Sequence, residues 1–100
     1  EEAFKTFEKY ASLTVDDARP YIEMGEIYQQ KGNAGDAITA YQKALEISTV
    51  EVEAHHHLAH LYTDQNEQSK AIKHFKSVLR LRPDHPEAGA IQKHIQTLSK

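Results

Sequence analysis

Cysteine is missing from the sequence, and glycine and proline are scarce. Without cysteine the chain has no disulfide, no thiolate metal site and no cysteine nucleophile. The 4 glycines and 3 prolines are too few for the frequent turns of an all-β fold. No apolar run approaches the roughly 20 residues that cross a bilayer. We therefore expect a small all-α protein that does not enter a membrane. The lack of cysteine and of a targeting segment favours a cytoplasmic location.

Charge is unevenly distributed along the 100 residues. Residues 1–51 carry 5 Lys/Arg and 10 Asp/Glu, whereas residues 52–100 carry 7 and 5. An acidic first half argues against a nucleic-acid partner, because nucleic-acid binding needs basic charge along a whole face. The chain begins at Glu1 and its only methionine is Met24, so we expect it to be part of a longer protein.

The sequence repeats with a period of 34 residues, a length typical of stacked helical repeats. The shift aligns Tyr28 with Tyr62, and aromatic or small residues coincide at several further positions. Only 4 of the 34 pairs between residues 18–51 and 52–85 are identical. The repeat therefore preserves the size and apolarity of side chains more than their identity.

Within each repeat, the apolar residues follow the three-to-four-residue spacing of one helix face. Gly32 and Asn66 interrupt this spacing at points where a left-handed residue can end a helix, and Asn33 is a candidate N-cap. Asp84 and Glu87 form a capping-box pattern around a proline. The spacing predicts about six helices, over residues 1–13, 18–31, 34–47, 52–64, 68–81 and 85–98.

The two repeats share a signature of aromatic, small and apolar residues. Its members are Tyr21, Met24, Gly25, Tyr28, Ala37, Tyr41, Leu58, Ala59, Tyr62, Ala71, Phe75 and Pro83. This signature resembles the helix–turn–helix motif of the tetratricopeptide repeat (TPR) family. Three positions depart from the family pattern: Thr49 stands in place of a proline, His55 in place of a bulky aromatic residue, and Asn66 in place of the turn glycine.

The resemblance implies an α-solenoid of antiparallel helix pairs that forms a right-handed superhelix. Residues 1–17 would supply the second helix of a preceding repeat, and residues 18–51 and 52–85 two full repeats. Residues 86–100 would form a capping helix. Small residues such as Gly25 are expected where the two helices of a repeat cross.

The predicted opening helix carries an aromatic face with nothing before it in the sequence to cover it. This face consists of Phe4, Phe7 and Tyr10. It predicts either further residues upstream or self-association of the chain. A structural or assembly role through this face is therefore one alternative function.

In the TPR family, the first helices of successive repeats line a concave groove that binds peptides or helices of partner proteins. The resemblance therefore implies a non-catalytic interaction module or scaffold with a protein or peptide partner. The competing interpretation is a set of solvated helix faces. The corresponding positions are Arg19, Ile22, Glu23, Glu26, Gln29, Gln30, Glu53, His56, His57, His60, Thr63, Asp64, Glu87, Ala90, Ile91 and His94.

TPR proteins that bind chaperone C-termini use a carboxylate clamp of lysine, asparagine and arginine. A clamp needs cationic donors that fork a carboxylate. Acidic and apolar residues occupy most of the clamp positions here, so a chaperone tail is disfavoured as the partner. These positions are Ile22, Glu23, Glu26, His57, Glu87 and Ile91.

Histidine is unusually frequent, with seven residues in the chain. His56, His60 and Asp64 are spaced to lie on one stripe of a helix and form a candidate site for Zn²⁺ or Ni²⁺. The competing interpretation has no cofactor: His55 fills the core, and His74 and His85 are exposed. We expect no cofactor and keep the metal site as an alternative.

A pH response is a further alternative for the histidines. Glu26, His60 and His94 fall at equivalent groove positions, and histidine titrates near pH ~6.5. Acidification would then change the groove from mildly acidic to basic.

Enzyme signatures are missing from the sequence. It has no glycine-rich phosphate loop, no His-Glu-x-x-His motif and no serine on a nucleophile elbow. Glu23 and Glu26 could be drawn as an acid/base pair, but an open groove would not shift their pKa values for such a role. We therefore expect the chain not to be catalytic.

Overall fold

Five α-helices make up most of residues 17–99, the part of the chain that the computed structural model describes. In these residues there is no β-strand, which confirms the all-α prediction. The predicted helix over residues 1–13 lies outside the described residues. None of the five helices has the length and apolarity needed to cross a membrane. They are α1 (Arg19–Gln30), α2 (Ala34–Ile47), α3 (Val52–Asp64), α4 (Gln68–Leu81) and α5 (Ala88–Leu98).

The two helix–helix turns of the predicted repeats are built alike. Gly32 has a φ of 80° and Asn66 a φ of 62°, so both adopt the left-handed conformation that the sequence predicts. Beyond each turn, a backbone N–H reaches back five residues: Asn33 donates to the Tyr28 carbonyl over 2.9 Å, and the equivalent bond from residue 67 spans 2.8 Å. Asn33 occupies the N-cap position of α2, but its side chain makes no capping hydrogen bond.

The last helix begins three residues later than predicted. A proline disfavours the helical conformation of the residue before it, and His85 precedes Pro86. The chain turns here instead: the Ala88 N–H donates to the His85 carbonyl over 2.9 Å, and the Glu87 N–H donates to His85 Nδ1 over 3.0 Å. Glu87 is the N-cap residue but forms no side-chain cap, so the predicted capping box is wrong.

The described residues divide into two compact units, with the boundary between Ala54 and His55. In the first unit α1 packs on α2, and Ala37, Tyr41 and Ala44 of α2 are fully buried. Gly25 is where the two helices approach most tightly, because a Cβ atom on it would lie 2.6 Å from the Tyr41 ring. The predicted crossing at Gly25 is therefore confirmed.

The second unit has its own core around α3, α4 and α5. Leu58, Ala59, Phe75 and Val78 are fully buried there. Tyr62 of α3 stacks on the imidazole ring of His74 in α4, with ring centroids 5.7 Å apart and planes 18° apart. Both aromatic rings and aliphatic side chains therefore pack between the helices of this unit.

Candidate functional site

An acidic cavity lies in the first unit, on the face of α1 that the sequence predicts to bind a partner. Its volume is about 420 Å³. Four of its six lining side chains are carboxylates and one is a guanidinium, so the cavity carries a negative field. The lining residues are Arg19, Ile22, Glu23, Glu26, Glu51 and Glu53.

Helical spacing positions the part of this cavity that comes from α1. Arg19, Glu23 and Glu26 are four and three residues apart and therefore share one helix face. The start of α1 is fixed by a hydrogen bond of 3.0 Å from the Arg19 N–H to Asp17 Oδ1. Glu51, in the turn before α3, was not predicted as a site residue. Its only sequence signal is a negative charge two residues from the predicted Glu53.

Two glutamates of the cavity contribute to the raised pKa of a buried tyrosine. Tyr41 has no exposed surface, and its hydroxyl donates to Gln29 Oε1 over 2.5 Å. Burial raises the pKa of Tyr41, and the negative charges of Glu26 and Glu53 raise it further. The phenol therefore stays protonated and remains a donor. Gln29, a predicted groove residue, is engaged in joining α1 to α2.

Other predicted groove residues differ widely in exposure. Ile22 and Ile91 are 7% and 1% exposed, so their apolar side chains serve packing and leave little surface for a ligand. Ile22 nevertheless lines the acidic cavity, and the assignment of both residues as partner contacts stays a prediction. Gln30, Asp64 and Ala90 are exposed. The Thr63 hydroxyl, in contrast, is used within its own helix, where it donates to the Ala59 carbonyl over 2.8 Å.

A second cavity, of about 390 Å³, lies between α1 and α2. Three residues of the TPR signature line it: Tyr21, Met24 and Tyr28. Lys43 of α2 also lines it and places its Nζ 5.9 Å from the centroid of the Tyr21 ring. The signature residues of α1 therefore leave a partly open aromatic surface.

Histidines form a cluster in the second unit. His56 Nε2 and His60 Nε2, one turn apart on α3, are 3.1 Å from each other. The His94 ring of α5 meets the edge of His60 at a centroid distance of 5.7 Å. Two members of this cluster were not predicted: Phe75, which stacks on His94 at 5.4 Å, and His85, whose ring lies edge-on to His56 at 5.2 Å.

The candidate metal stripe comes together only in part. His56 and His60 bring two ligand atoms to one point, as the spacing predicts. In residues 17–99, Asp64 does not bring a carboxylate oxygen within 4.8 Å of both imidazoles. A different carboxylate is closer, because Glu87 Oε1 lies 3.8 Å from His56 Nε2. His57, the remaining predicted groove histidine, is half-buried.

The protonation of the groove histidines departs from the expectation of titration near pH 6.5. Burial lowers the pKa of His56, and the neighbouring His60 lowers it further. Burial also lowers the pKa of His60, with His94 as the next contributor. Both imidazoles therefore remain neutral to a lower pH than a solvated histidine.

His74 was predicted to be exposed, and this prediction is wrong. The residue is half-buried, and its Nδ1 lies 2.9 Å from Nδ1 of the buried His55. Burial lowers the pKa of His74 to about 4, with a further contribution from the adjacent His55. His85 was also predicted to be exposed and is half-buried under His56. His55 itself is 8% exposed, in line with its predicted role as a core residue.

Similar folds occur in solved structures of peptide-binding proteins. The type III secretion chaperone SycD of Yersinia enterocolitica, in complex with a peptide of the translocator YopD, has a TM-score of 0.85 at 20% identity, over 99% of this chain and 79% of that one. PcrH in complex with the chaperone-binding region of PopD has a TM-score of 0.81 at 20% identity, over 98% of this chain and 77% of that one. The TPR2B domain of yeast Sti1, in a pHsp70 complex, has a TM-score of 0.80 at 18% identity, over 96% of this chain and 79% of that one. Identities this low establish a shared fold alone.

A search of curated protein sequences found no significant match. The tetratricopeptide repeat family model, in contrast, matches residues 16–84, well over half of the chain. This range contains both predicted repeats almost completely, with the left-handed turns, the Gly25–Tyr41 crossing and the signature residues described above. The chain therefore belongs to the tetratricopeptide repeat family.

Proposed function

We propose that this chain is a non-catalytic interaction module whose acidic cavity binds a basic segment of a partner protein. The observation that carries the proposal is the lining of the cavity, which combines four glutamates and one arginine from α1, the start of α3 and the residue before it. Lysine or arginine side chains of a partner would form charge-assisted hydrogen bonds with these carboxylates.

The solved relatives support a peptide as the kind of partner. SycD holds a peptide of YopD, PcrH a region of PopD, and the Sti1 domain is in a complex with pHsp70. By analogy, this chain would receive an extended or helical segment of another protein. The acidic lining disfavours a chaperone tail as the partner, because Glu23, Glu26 and Glu53 would repel a terminal carboxylate.

The packing beneath the cavity supports binding without a large ordering cost. The Tyr41 hydroxyl donates a hydrogen bond of 2.5 Å to Gln29 Oε1 and so links α2 to α1, the helix that carries Glu23 and Glu26. Side chains and helices that are already fixed lose little entropy when a ligand binds. The charged rim would mainly accelerate association and make it depend on salt.

The test is a binding titration with three fluorescent twelve-residue peptides of equal length: lysine/arginine-rich, neutral and glutamate-rich. Fluorescence anisotropy is measured on the wild-type chain and on a Glu23→Gln/Glu26→Gln variant, at low and high salt. We expect the wild type to bind the basic peptide, and we expect the variant to bind it about tenfold more weakly, a loss of about 1.4 kcal/mol.

The matched control is an Asp36→Asn/Glu46→Gln variant, which changes the net charge equally on exposed residues of α2 outside this cavity. It should bind the basic peptide as the wild type does. Equal weakening in both variants would indicate unspecific attraction to an acidic chain. Preference for the glutamate-rich peptide would contradict the proposal directly.

A further inference from the structure

We propose that His56 and His60 chelate a divalent transition-metal ion, with Glu87 as the third protein ligand. The site belongs to the second unit and shares no residue with the acidic cavity, so it does not depend on the proposed function. Imidazole nitrogens with one carboxylate are a ligand set that suits Zn²⁺, Ni²⁺ or Cu²⁺.

The distance between the two imidazoles is the first argument. Zn–N bonds measure about 2.0–2.1 Å, so two such bonds at a tetrahedral angle place their nitrogens about 3.3 Å apart. His56 Nε2 and His60 Nε2 are 3.1 Å apart. A single ion can therefore bind both nitrogens after a shift of a few tenths of an ångström. Their spacing of four residues on α3 holds this separation, because such residues lie one above the other.

The two rings are held in place by their neighbours, which is the second argument. The His56 ring abuts the edge of His85 at 5.2 Å. The His60 ring abuts Phe75 at 5.2 Å and His94 at 5.7 Å, almost perpendicular to both. Residues behind metal-binding histidines usually fix the orientation of the ligand rings. Rings that are already oriented lose little further freedom when they bind a metal.

Glu87 is the carboxylate next to His56, although in the present conformation its oxygens, like those of Asp64, do not lie within 4.8 Å of both Nε2 atoms. Its Oε1 is 3.8 Å from His56 Nε2, and its side chain is 58% exposed, so rotation can bring the carboxylate to an ion between the two histidines. The backbone of Glu87 is anchored, because its N–H donates to His85 Nδ1 over 3.0 Å. The remaining coordination positions would face solvent and could accept water or a donor from a partner.

A bound ion would change the tautomer of one histidine of the pair. In the present contact one Nε2 donates and the other accepts, so one of the two rings carries its proton on Nε2. A metal ion would replace this contact and would shift that ring's proton to Nδ1, so that both Nε2 lone pairs could bind the ion. The charged and titratable groups around the pair are His57, Asp64, His85, Glu87 and His94.

The experiment is isothermal titration calorimetry of the untagged 100-residue chain with ZnCl₂ at pH 7.2, in a buffer that does not bind metal. We expect one ion per chain. His56→Ala and His60→Ala should each weaken binding at least about tenfold, because even residues behind a metal ligand contribute about 10–100-fold. Glu87→Gln should weaken binding as well.

The matched control is His57→Ala, which removes a histidine from the same run but leaves the pair intact. It should bind zinc as the wild type does. Wild-type affinity in His56→Ala or His60→Ala, or loss of binding in His57→Ala alone, would overturn the proposal. Equally tight binding by the urea-unfolded chain would also overturn it, because the His55–His57 run would then suffice without the fold.

A spectroscopic measurement guards against variants that fail to fold. In ¹⁵N-labelled wild-type chain, zinc should move the Nε2 resonances of His56 and His60 and leave their Nδ1 atoms protonated. Movement of other histidine nitrogens with these two unchanged would place the metal elsewhere and contradict the site.

Discussion

At the scale of single residues, the contact between Gly25 and Tyr41 shows what a sequence can reveal. The glycine and the aromatic residue both stand at TPR signature positions, so their close approach was predictable, and a Cβ on Gly25 would come within 2.6 Å of the ring. The hydrogen bond from Tyr41 to Gln29 was not predictable in this way. It depends on the rotation of α1 against α2, which the apolar pattern defines only to within a helix face.

Gly25→Ala should destabilise the first unit by about 1–3 kcal/mol, because the added methyl group overpacks a fully buried contact. Gly35→Ala is the matched control: this helical glycine has no atom within 4 Å of a Cβ position. Alanine there should stabilise α2 by about 0.5–1 kcal/mol, since it is the better helix former. Urea unfolding monitored by circular dichroism measures both changes. Equal effects of the two substitutions would disprove the tight crossing.

At the scale of helices and turns, the sequence predicted most bounds because their signals are local. Gly32 and Asn66 mark the two turns by their backbone preferences, and α2, α3 and α4 have the predicted bounds. The start of α5 was misplaced because two local signals conflict at the same point. The capping-box pattern of Asp84 and Glu87 favours an early start, whereas Pro86 prevents helical geometry just before it.

The left-handed turns predict opposite changes in stability for glycine and alanine substitutions. Asn66→Gly should leave stability unchanged or raise it by up to about 1 kcal/mol, because glycine adopts positive φ without strain. Asn66→Ala and Gly32→Ala should each destabilise the chain by about 1–2 kcal/mol, the cost of left-handed geometry for a residue with a Cβ. Thermal unfolding of the three variants tests this. A stabilising Asn66→Ala would contradict the turn geometry.

At the scale of the whole molecule, charge and histidine are divided between the two units. All seven histidines follow Ala54, and residues 1–54 hold 11 of the 15 acidic residues. This distribution is visible in the sequence, but the burial of the histidines is not. The exposure of His74 was mispredicted because its neighbours, His55 and Tyr62, come from another helix. The pairing of Glu87 with His56 was hidden for the same reason.

Acidification should weaken the second unit selectively. The folded pKa of His74 is about 4, against about 6.5 for an unfolded histidine, so the unfolded state binds more protons between these values. The stability that His74 contributes is fully present above pH 6.5 and is lost as the pH falls towards 4. Below pH 4 this contribution does not change further. The lowered pKa values of His56 and His60 act in the same direction.

Amide hydrogen exchange at pH 7.5 and 5.5, corrected for intrinsic rates, measures this effect while most carboxylates stay ionised. At pH 5.5 the opening free energy of α4 should fall by about 1 kcal/mol from His74 alone. In α1 and α2 it should stay constant. His74→Gln should reduce the difference, because glutamine hydrogen-bonds without titrating. An equal loss in both units would show that histidine is not the cause.

The packing under the acidic cavity also has a consequence for exchanging segments between the two repeats. Gly25, Gln29 and Tyr41 occupy the same three positions as Ala59, Thr63 and Phe75 in the second repeat. In the first set, the tyrosine hydroxyl finds its acceptor on the glutamine. In the second, there is no hydroxyl on the ring, and Thr63 bonds its own helix instead. Exchanging Tyr41 alone for phenylalanine should therefore remove the donor to Gln29, whereas exchanging all three residues together should give the first repeat the bonding pattern of the second.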